Sequence, residues 1–260
     1  MRKGVFSFLI ASLILCSQAS AAKLEGLVLY LPFDEGSGDV AHDMSGNGND
    51  GKLVKSPKWV TGKYGWALEF DGSNYVEVPD SDSLDIEEEI TIAAWIFPKL
   101  TGSQWQGIVT KGLDAQENYE LLINTGGFMH TGWLFDTGRL WANRGAAGTL
   151  SADKWQHIAV TYKPGEWVSY LNGEVVDRLT NANGKMVTDD EPLIIGDERP
   201  MNRLFQGIID EVAVFNRALS QDEIKEIMGG IKSLLSVDPA AKLAAVWGEV
   251  KASHIGRIGR

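Results

Sequence analysis

Cysteine is almost absent: the 260 residues contain one, Cys16, and it lies in the N-terminal apolar stretch. Beyond residue 21 there is none. That excludes disulfides, a thiol nucleophile and any cysteine metal centre from the rest of the chain. Positive charge is also short. Lys and Arg number 24 against 35 Asp and Glu, for a formal net charge of −11. Duplex binding rests on Lys and Arg neutralising phosphates, so this balance argues against a nucleic-acid partner and against an anionic membrane surface. It suits a secreted protein that gathers divalent cations, and solubility alone accounts for it equally well. Past the N-terminus no run is long and apolar enough to cross a bilayer. Nor is there an internal repeat or a low-complexity linker.

Residues 1–21 have the order of an export signal. Arg2 and Lys3 supply charge, Val5 to Cys16 is mostly apolar, and Ala19-Ser20-Ala21 offers small residues for cleavage. Leu15 is not the small residue that lipid attachment at Cys16 requires. The expectation is a mature chain starting near Ala22, secreted, periplasmic or on the cell surface, without membrane insertion. Three segments follow: a signal peptide over 1–21, one domain over 22–230, and a tail over 231–260 that ends in the basic KASHIGRIGR.

What is abundant is short alternating runs set apart by Gly, Asn, Asp and Pro, the pattern of an antiparallel β protein. Leu27 to Phe33 begins it. Ala67 to Phe70 and Tyr75 to Val78, around Asp71-Gly72, read as a hairpin. Ile90 to Phe97 (ITIAAWIF) is apolar on both faces, which fits a central strand. Gly107 to Thr110, Tyr119 to Asn124 and Leu140 to Asn143 are weaker runs, and Trp155 to Tyr162 is a strong one. Trp167 to Leu171 and Glu174 to Arg178 flank Asn172-Gly173, two residues that tolerate positive φ, so a second hairpin is expected there. Leu193 to Ile195 and Ile208 to Phe215 complete the set. One helix is marked by the capping box Ser220-Gln221-Asp222-Glu223, an apolar stripe of Ile224, Ile227 and Met228, and a Gly229-Gly230 stop. Beyond it, Asp238-Pro239 opens a second short helix or an extended arm.

Four blocks carry a family resemblance: LYLPFDEGSGDVAHDMSGNGNDGKL (Leu29 to Leu53), KYGWALEFDGSNYVEVPDSDSLDIEEEITIAAWIFP (Lys63 to Pro98), WQHIAVTYKPGEWVSYLNGEVV (Trp155 to Val176) and LIIGDERPMNRLFQGIIDEVAVFNRALSQDEI (Leu193 to Ile224). In order and spacing the chain resembles a laminin-G-like jelly roll of the concanavalin-A-like lectin/glucanase superfamily. The resemblance implies an all-β fold: a two-sheet antiparallel jelly-roll sandwich with one sheet concave, binding loops at the rim, one short C-terminal helix and a tail. It implies function only broadly, because the fold hosts lectins, adhesion modules and glycosidases.

Glycosidases on this fold present a Glu-x-Asp-x-x-Glu run, and no such run occurs. Glu87-Glu88-Glu89 lies at a turn, and Glu117 and Glu120 lack the intervening Asp. There is no Gly-x-Ser-x-Gly elbow, and His157 has no nucleophile partner. Catalysis is therefore the less favoured reading. Calcium is a stronger one. Asp43, Ser45, Asn47 and Gly48, in HDMSGNGNDGKL, match the first half of an EF-hand loop, but its twelfth position is Val54 rather than Glu. The resemblance implies instead a structural calcium between the first and last strands, held by Asp34, Asp43, Asn47 and Asp210. Alternation aligns Asp210 with Ile208, Val212 and Val214, on an apolar side. A carboxylate there needs a metal or several hydrogen-bond donors, and backbone N–H groups of a Gly-rich loop are the competing partner.

The last block also resembles the ligand-binding segment of the pentraxins. Their acidic run falls on Asp197-Glu198-Arg199-Pro200, where Glu198 matches but Arg199 and Pro200 replace ligands. Their earlier pair falls near Glu117-Asn118. Nine Trp residues offer flat faces for sugar C–H groups. Trp66, Trp95 and Trp155 read as core, whereas Trp105, Trp133 and Trp141 read as loop-borne and better placed for a ligand. The competing reading has these rings plugging the ends of the sandwich. The expected function is a secreted, non-catalytic module binding extracellular carbohydrate or protein, with one structural calcium. The alternatives are a divergent glycoside hydrolase and an adhesion module without glycan binding. The expected ligand contacts are Trp105, Glu117, Asn118, Trp133, Trp141 and Glu198.

Overall fold

The run ITIAAWIFP forms a nine-residue strand, and both its faces are covered, which is why it shows no polar alternation. In a computed structural model that describes residues 24–112, 118–143 and 150–235, with the side chains of 139–143 left aside, it lies in the middle of a sheet. The strands in chain order are β1 (Leu27–Leu31), β2 (Val40–Ala41), β3 (Gly51–Val54), β4 (Lys58–Thr61), β5 (Trp66–Asp71), β6 (Tyr75–Val78), β7 (Ile90–Pro98) and β8 (Trp105–Lys111). They continue as β9 (Tyr119–Asn124), β10 (Phe128–Phe135), β11 (Gly138–Asn143), β12 (Gln156–Lys163), β13 (Glu166–Leu171), β14 (Glu174–Thr180), β15 (Leu193–Ile195) and β16 (Gln206–Phe215). Helix α1 is Gln221–Ile227 and helix α2 is Ile231–Leu235.

Two antiparallel sheets result. The first runs β14-β13-β12-β7-β16-β5-β4, with β1 also paired to β16; the second runs β11-β10-β9-β8-β15-β6-β3-β2. Alternate residues of each sheet meet between them: Ile90, Ile92, Ala94 and Ile96 of β7 face Leu121 and Ile123 of β9 and Leu193 and Ile195 of β15 in one core. The other face of β7 carries Trp95, whose indole donates to the Met228 carbonyl at 3.1 Å, and α1 buries Ile224 and Ile227. The capping box at the start of α1 is formed, with Ser220 and Glu223 exchanging bonds.

These contacts belong to a unit spanning Gly26–Met228. Helix α2 lies outside this unit, and it is a second helix where the sequence reads as tail. The signal peptide and the residues after 235, Asp238-Pro239 included, lie outside the described residues.

Asn172 and Gly173 adopt φ of 52° and 78° and join β13 to β14 as the expected hairpin. The Asp71-Gly72 turn is different. It carries the chain from one sheet to the other: β5 pairs with β4 and β16, and β6 pairs with β3 and β15. Leu68 and Phe70 thus enter the core from one side and Val76 and Val78 from the other. Alternation reports a buried face but not which sheet supplies it.

Candidate ligand-binding face

Strand pairing sorts the second sheet into faces. Val109, Leu121 and Thr131 are register partners on the core side. Thr110, Glu120 and Gly132 are partners on the outer side, as are Gly107, Leu122 and His130, and Trp105, Asn124 and Phe128. Thr110, Glu120, Asn124 and His130 are all buried even though they point away from the core. His130 Nε2 stands 3.2 Å from Glu120 Oε1, and the half-buried Trp105 ring lies 4.8 Å from the imidazole. Asn118 just precedes β9. Its N–H donates to the Lys111 carbonyl and its carbonyl accepts from Leu134 N–H, so alternation turns its side chain to the outer side with Glu120. That side chain is 2% exposed, and neither end of its amide has a hydrogen-bond partner. A buried amide in that state needs a partner that the described residues do not supply, an ordered water or a ligand group.

The segment Gly196–Phe205 lies across β8. Gly107 N–H donates to the Arg203 carbonyl at 2.7 Å and the Thr110 hydroxyl to the Asp197 carbonyl at 3.1 Å. A Cβ on Gly107 would sit 2.3 Å from Asp197 backbone atoms, so only glycine permits this approach. The segment closes on itself. Arg203 Nη1 reaches both oxygens of the buried Glu198 carboxylate at 2.8 Å, and Arg199 bonds the Tyr75 hydroxyl and stacks 4.8 Å from its ring. The Glu198 carboxylate, expected to hold a cation or a ligand, therefore holds Arg203.

The other expected contacts divide. Trp105 and Asn118 share the outer face of the second sheet. Trp133 does not: it alternates with Met129 and Phe135 in β10, is 1% exposed, and packs 6.1 Å from Tyr162. The part of its segment up to Phe135, HTGWLF, is strand rather than loop, and residues 129, 131, 133 and 135 share the core face. Trp141 and Trp105 also lie on strands. Trp141 stands opposite Gly132, but its side chain, like the whole of Glu117, lies outside the described residues. Sequence reasoning weighs Glu120 only as a catalytic carboxylate, and it misses Thr110, Asn124 and His130. The available signal was a polar residue at alternate positions of otherwise apolar runs, in YELLIN and FMHTGWLF.

The expected calcium ligands do not form one set. Asp43 Oδ1 accepts the backbone N–H groups of Tyr30 and Ser45, each at 2.9 Å, and Oδ2 accepts the Ser45 hydroxyl at 2.7 Å and Asn49 N–H at 3.0 Å. Asn47 uses its amide N–H groups on the carbonyls of Leu27 and Val28, each at 3.2 Å. Asp210 lies elsewhere. Glu211 adopts φ of 53° and the register slips between Asp210 and Ala213, so Ile209, Val212 and Val214 face the core while Asp210 turns outward opposite Trp95. Its Oδ2 accepts Lys63 N–H at 2.8 Å and Tyr64 N–H at 3.0 Å, and Asp34 accepts Trp66 N–H at 3.1 Å in the same turn. The turn Gly62–Trp66 thus joins Asp34 to Asp210 through backbone donors. Among the described residues, no group of three or more His, Cys, Asp or Glu is arranged to hold a metal. Burial pushes the Asp210 carboxyl up to about 8, with the Glu211 charge adding. Asp43 and Asp210 already accept backbone N–H groups and Asn47 turns its N–H groups on carbonyls, so the residues present do not fit the ion as a set.

Fold and face together define a two-sheet jelly roll with a polar outer surface on one sheet. The chain belongs to the concanavalin A-like lectin/glucanases superfamily, whose laminin G profile matches residues 70–225. No curated protein sequence matches it. Among solved structures it is similar to the binding domain of Paraclostridial Mosquitocidal Protein 1, at 17% identity and a TM-score of 0.64, covering 79% of this chain and 52% of that one. It is also similar to domain 4 of AbnA, a GH43 extracellular arabinanase from Geobacillus stearothermophilus, solved with arabinotriose. That likeness has 19% identity and a TM-score of 0.61, and covers 78% of this chain and 98% of that one. A third is the binding domain of botulinum neurotoxin serotype D, at 17% identity and 0.63, covering 80% and 52%. The chain spans about half the length of the toxin domains. At these identities the likeness is one of fold.

Proposed function

We propose that the chain is a secreted, non-catalytic module that binds extracellular carbohydrate on the outer face of its second sheet. The observation that carries the reading is the buried, unpartnered Asn118 amide on the face where the Trp105 ring remains half open. The two stand at opposite ends of β9, six residues and roughly 20 Å apart at ~3.3 Å per residue, so the ligand that suits both is an extended glycan: the C–H face of one sugar stacks on the indole, and the hydroxyls of another donate to and accept from the amide. The arabinotriose bound by the arabinanase domain supports the choice of carbohydrate. The N-terminal charge and apolar run support secretion. Catalysis is not favoured, because the sequence has no Glu-x-Asp-x-x-Glu run and the buried Glu120 carboxylate is paired with His130. The reading assigns no calcium to Asp34, Asp43, Asn47 and Asp210.

A glycan array followed by calorimetry tests this. Trp105→Ala and Asn118→Ala are expected to weaken the best array ligand about tenfold or more, equivalent to ~1.4 kcal/mol, with unchanged far-UV circular dichroism. An array without hits, or hits indifferent to both substitutions, would leave the adhesion reading in its place.

A further inference from the structure

The chain has three Asn-Gly pairs: Asn47-Gly48, Asn172-Gly173 and Asn183-Gly184. Such a pair closes on itself readily, because glycine has no Cβ to hinder its own nitrogen as it nears the asparagine Cγ. Closure needs the asparagine side chain and the glycine N–H to be free. All three Asn are exposed, so exposure does not separate them. Hydrogen bonding does. Asn47 Nδ2 donates to the carbonyls of Leu27 and Val28 at 3.2 Å each and to Ser45 Oγ at 3.0 Å. Asn172 Oδ1 accepts His157 N–H at 3.0 Å, and Asn172 N–H donates to the His157 carbonyl at 2.8 Å. Turning either side chain toward the next nitrogen breaks these bonds. Asn183 and Gly184 are held by their carbonyls instead, which accept the Thr137 hydroxyl at 3.3 Å and the Tyr162 hydroxyl at 2.8 Å. The Asn183 side chain and the Gly184 N–H take no part in hydrogen bonding among the described residues. Glycine is required at 184, since a Cβ there would lie 2.7 Å from Phe135 Cβ. The close approach to β10 that demands glycine thus creates the reactive pair.

We infer that Asn183 is a site of spontaneous deamidation and isomerisation in the folded protein, and that the fold protects Asn47 and Asn172. The Gly184 nitrogen gives its proton to hydroxide and attacks Asn183 Cγ. The new C–N bond closes a five-membered succinimide, and the Cγ–Nδ2 bond breaks with release of ammonia. Water then opens the ring. Opening at Cγ leaves aspartate. Opening at the main-chain carbonyl leaves isoaspartate, whose backbone runs through Cβ and Cγ. Either product adds a negative charge to a cleft that Asn183 lines together with Glu88 and Asp136. Isoaspartate also lengthens a short span between two anchors. Ala182 and Met186 are buried, and Met186 N–H donates to the Glu87 carbonyl at 2.7 Å. The strap between β14 and β15 is loosened as a result.

The full chain, aged in mildly alkaline buffer either folded or in guanidinium chloride, tests this by proteolysis and mass spectrometry. In the folded chain the peptide holding Asn183 is expected to become heavier by about 1 Da and to split into aspartate and isoaspartate forms. It should do so about tenfold or more faster than the peptides holding Asn47 and Asn172, since the bonds those two must break suffice for that margin. In guanidinium chloride, where the bonds are gone, the three should react at comparable rates. Asn183→Gln, which must close a larger ring, should give no such product and keep the Tm of the fresh wild type. Aged wild type should exchange the Lys185 and Met186 amide hydrogens faster than fresh protein, and aged Asn183→Gln should not. The inference is overturned if folded Asn183 reacts no faster than Asn47 or Asn172, or if it reacts only in guanidinium chloride. Unaltered exchange after full conversion would overturn the loosened strap.

Discussion

Asp210 is fully buried, and only one of its oxygens is hydrogen-bonded. Its partners were half legible. The sequence shows a carboxylate in an apolar strand that must find a metal or donors. It does not show that Glu211 breaks the alternation, or that the donors come from Lys63 and Tyr64, 146 or more positions away. The consequence is a dependence on pH. The unfolded carboxyl titrates near ~3.9, and the folded one at about 8. Between these values the native state keeps a proton that the unfolded chain has lost, so the stability contributed by this group falls as pH rises and levels off above about 8. Asp210→Asn keeps an acceptor for Lys63 and Tyr64 without a titrating group. Urea unfolding from pH 5 to 8 should show the variant gaining on the wild type with rising pH, by on the order of 2 kcal/mol at pH 8. Equal slopes for the two proteins would mean that Asp210 ionises normally.

The stretch HDMSGNGNDGKL shows the same substitution of donors for metal at the level of an element. β1 has one strand neighbour, β16. Its other edge is covered by this loop: Asp43 takes the Tyr30 N–H, Met44 N–H donates to the Tyr30 carbonyl, and Ser45, Asn47 and Asn49 side chains donate to the Val28 carbonyl. Side chains do what a ladder of backbone bonds would do, and a bare edge is avoided. Asp, Ser and Asn dense enough to resemble a cation loop are also the residues able to bond a nearby backbone, so composition alone did not separate the two. The hairpin at Asn172-Gly173 was legible because that turn needs positive φ at two residues. The crossing at Asp71-Gly72 was not, because both flanking strands present apolar faces to one core. Asp43→Ala removes the acceptor of four bonds. It is expected to lower stability by about 2 kcal/mol or more, equally in EDTA and in calcium. A loss seen only in calcium would restore the metal reading of this loop.

Over the described residues as a whole, carboxylates expected as metal ligands or a ligand contact are answered from within: Asp43 and Asp210 by backbone N–H, and Glu198 by Arg203. The fold class was legible because alternation, turns and block order agree. The ligand face was only partly so, since strand pairing far apart in sequence decides which polar residues share a side. The same long-range pairing separates the family match from the folding unit. The match covers 70–225, whereas the compact unit starts at Gly26. A chain cut to 70–225 loses β1 to β4 and most of β5, and with them the buried Val28, Leu29, Leu31, Phe33, Leu53 and Leu68. At about 1.5–3 kcal/mol for each buried side chain, the loss is on the order of 10 kcal/mol, comparable to the roughly 5–15 kcal/mol that holds a domain together. Residues 70–225 expressed alone should therefore show neither a cooperative melt nor a near-UV signal, whereas residues 24–235 should show both. A sharp transition in the shorter chain would mean that β16 and the second sheet close without β1, contrary to the pairing of Leu27–Leu31 with Val212–Phe215.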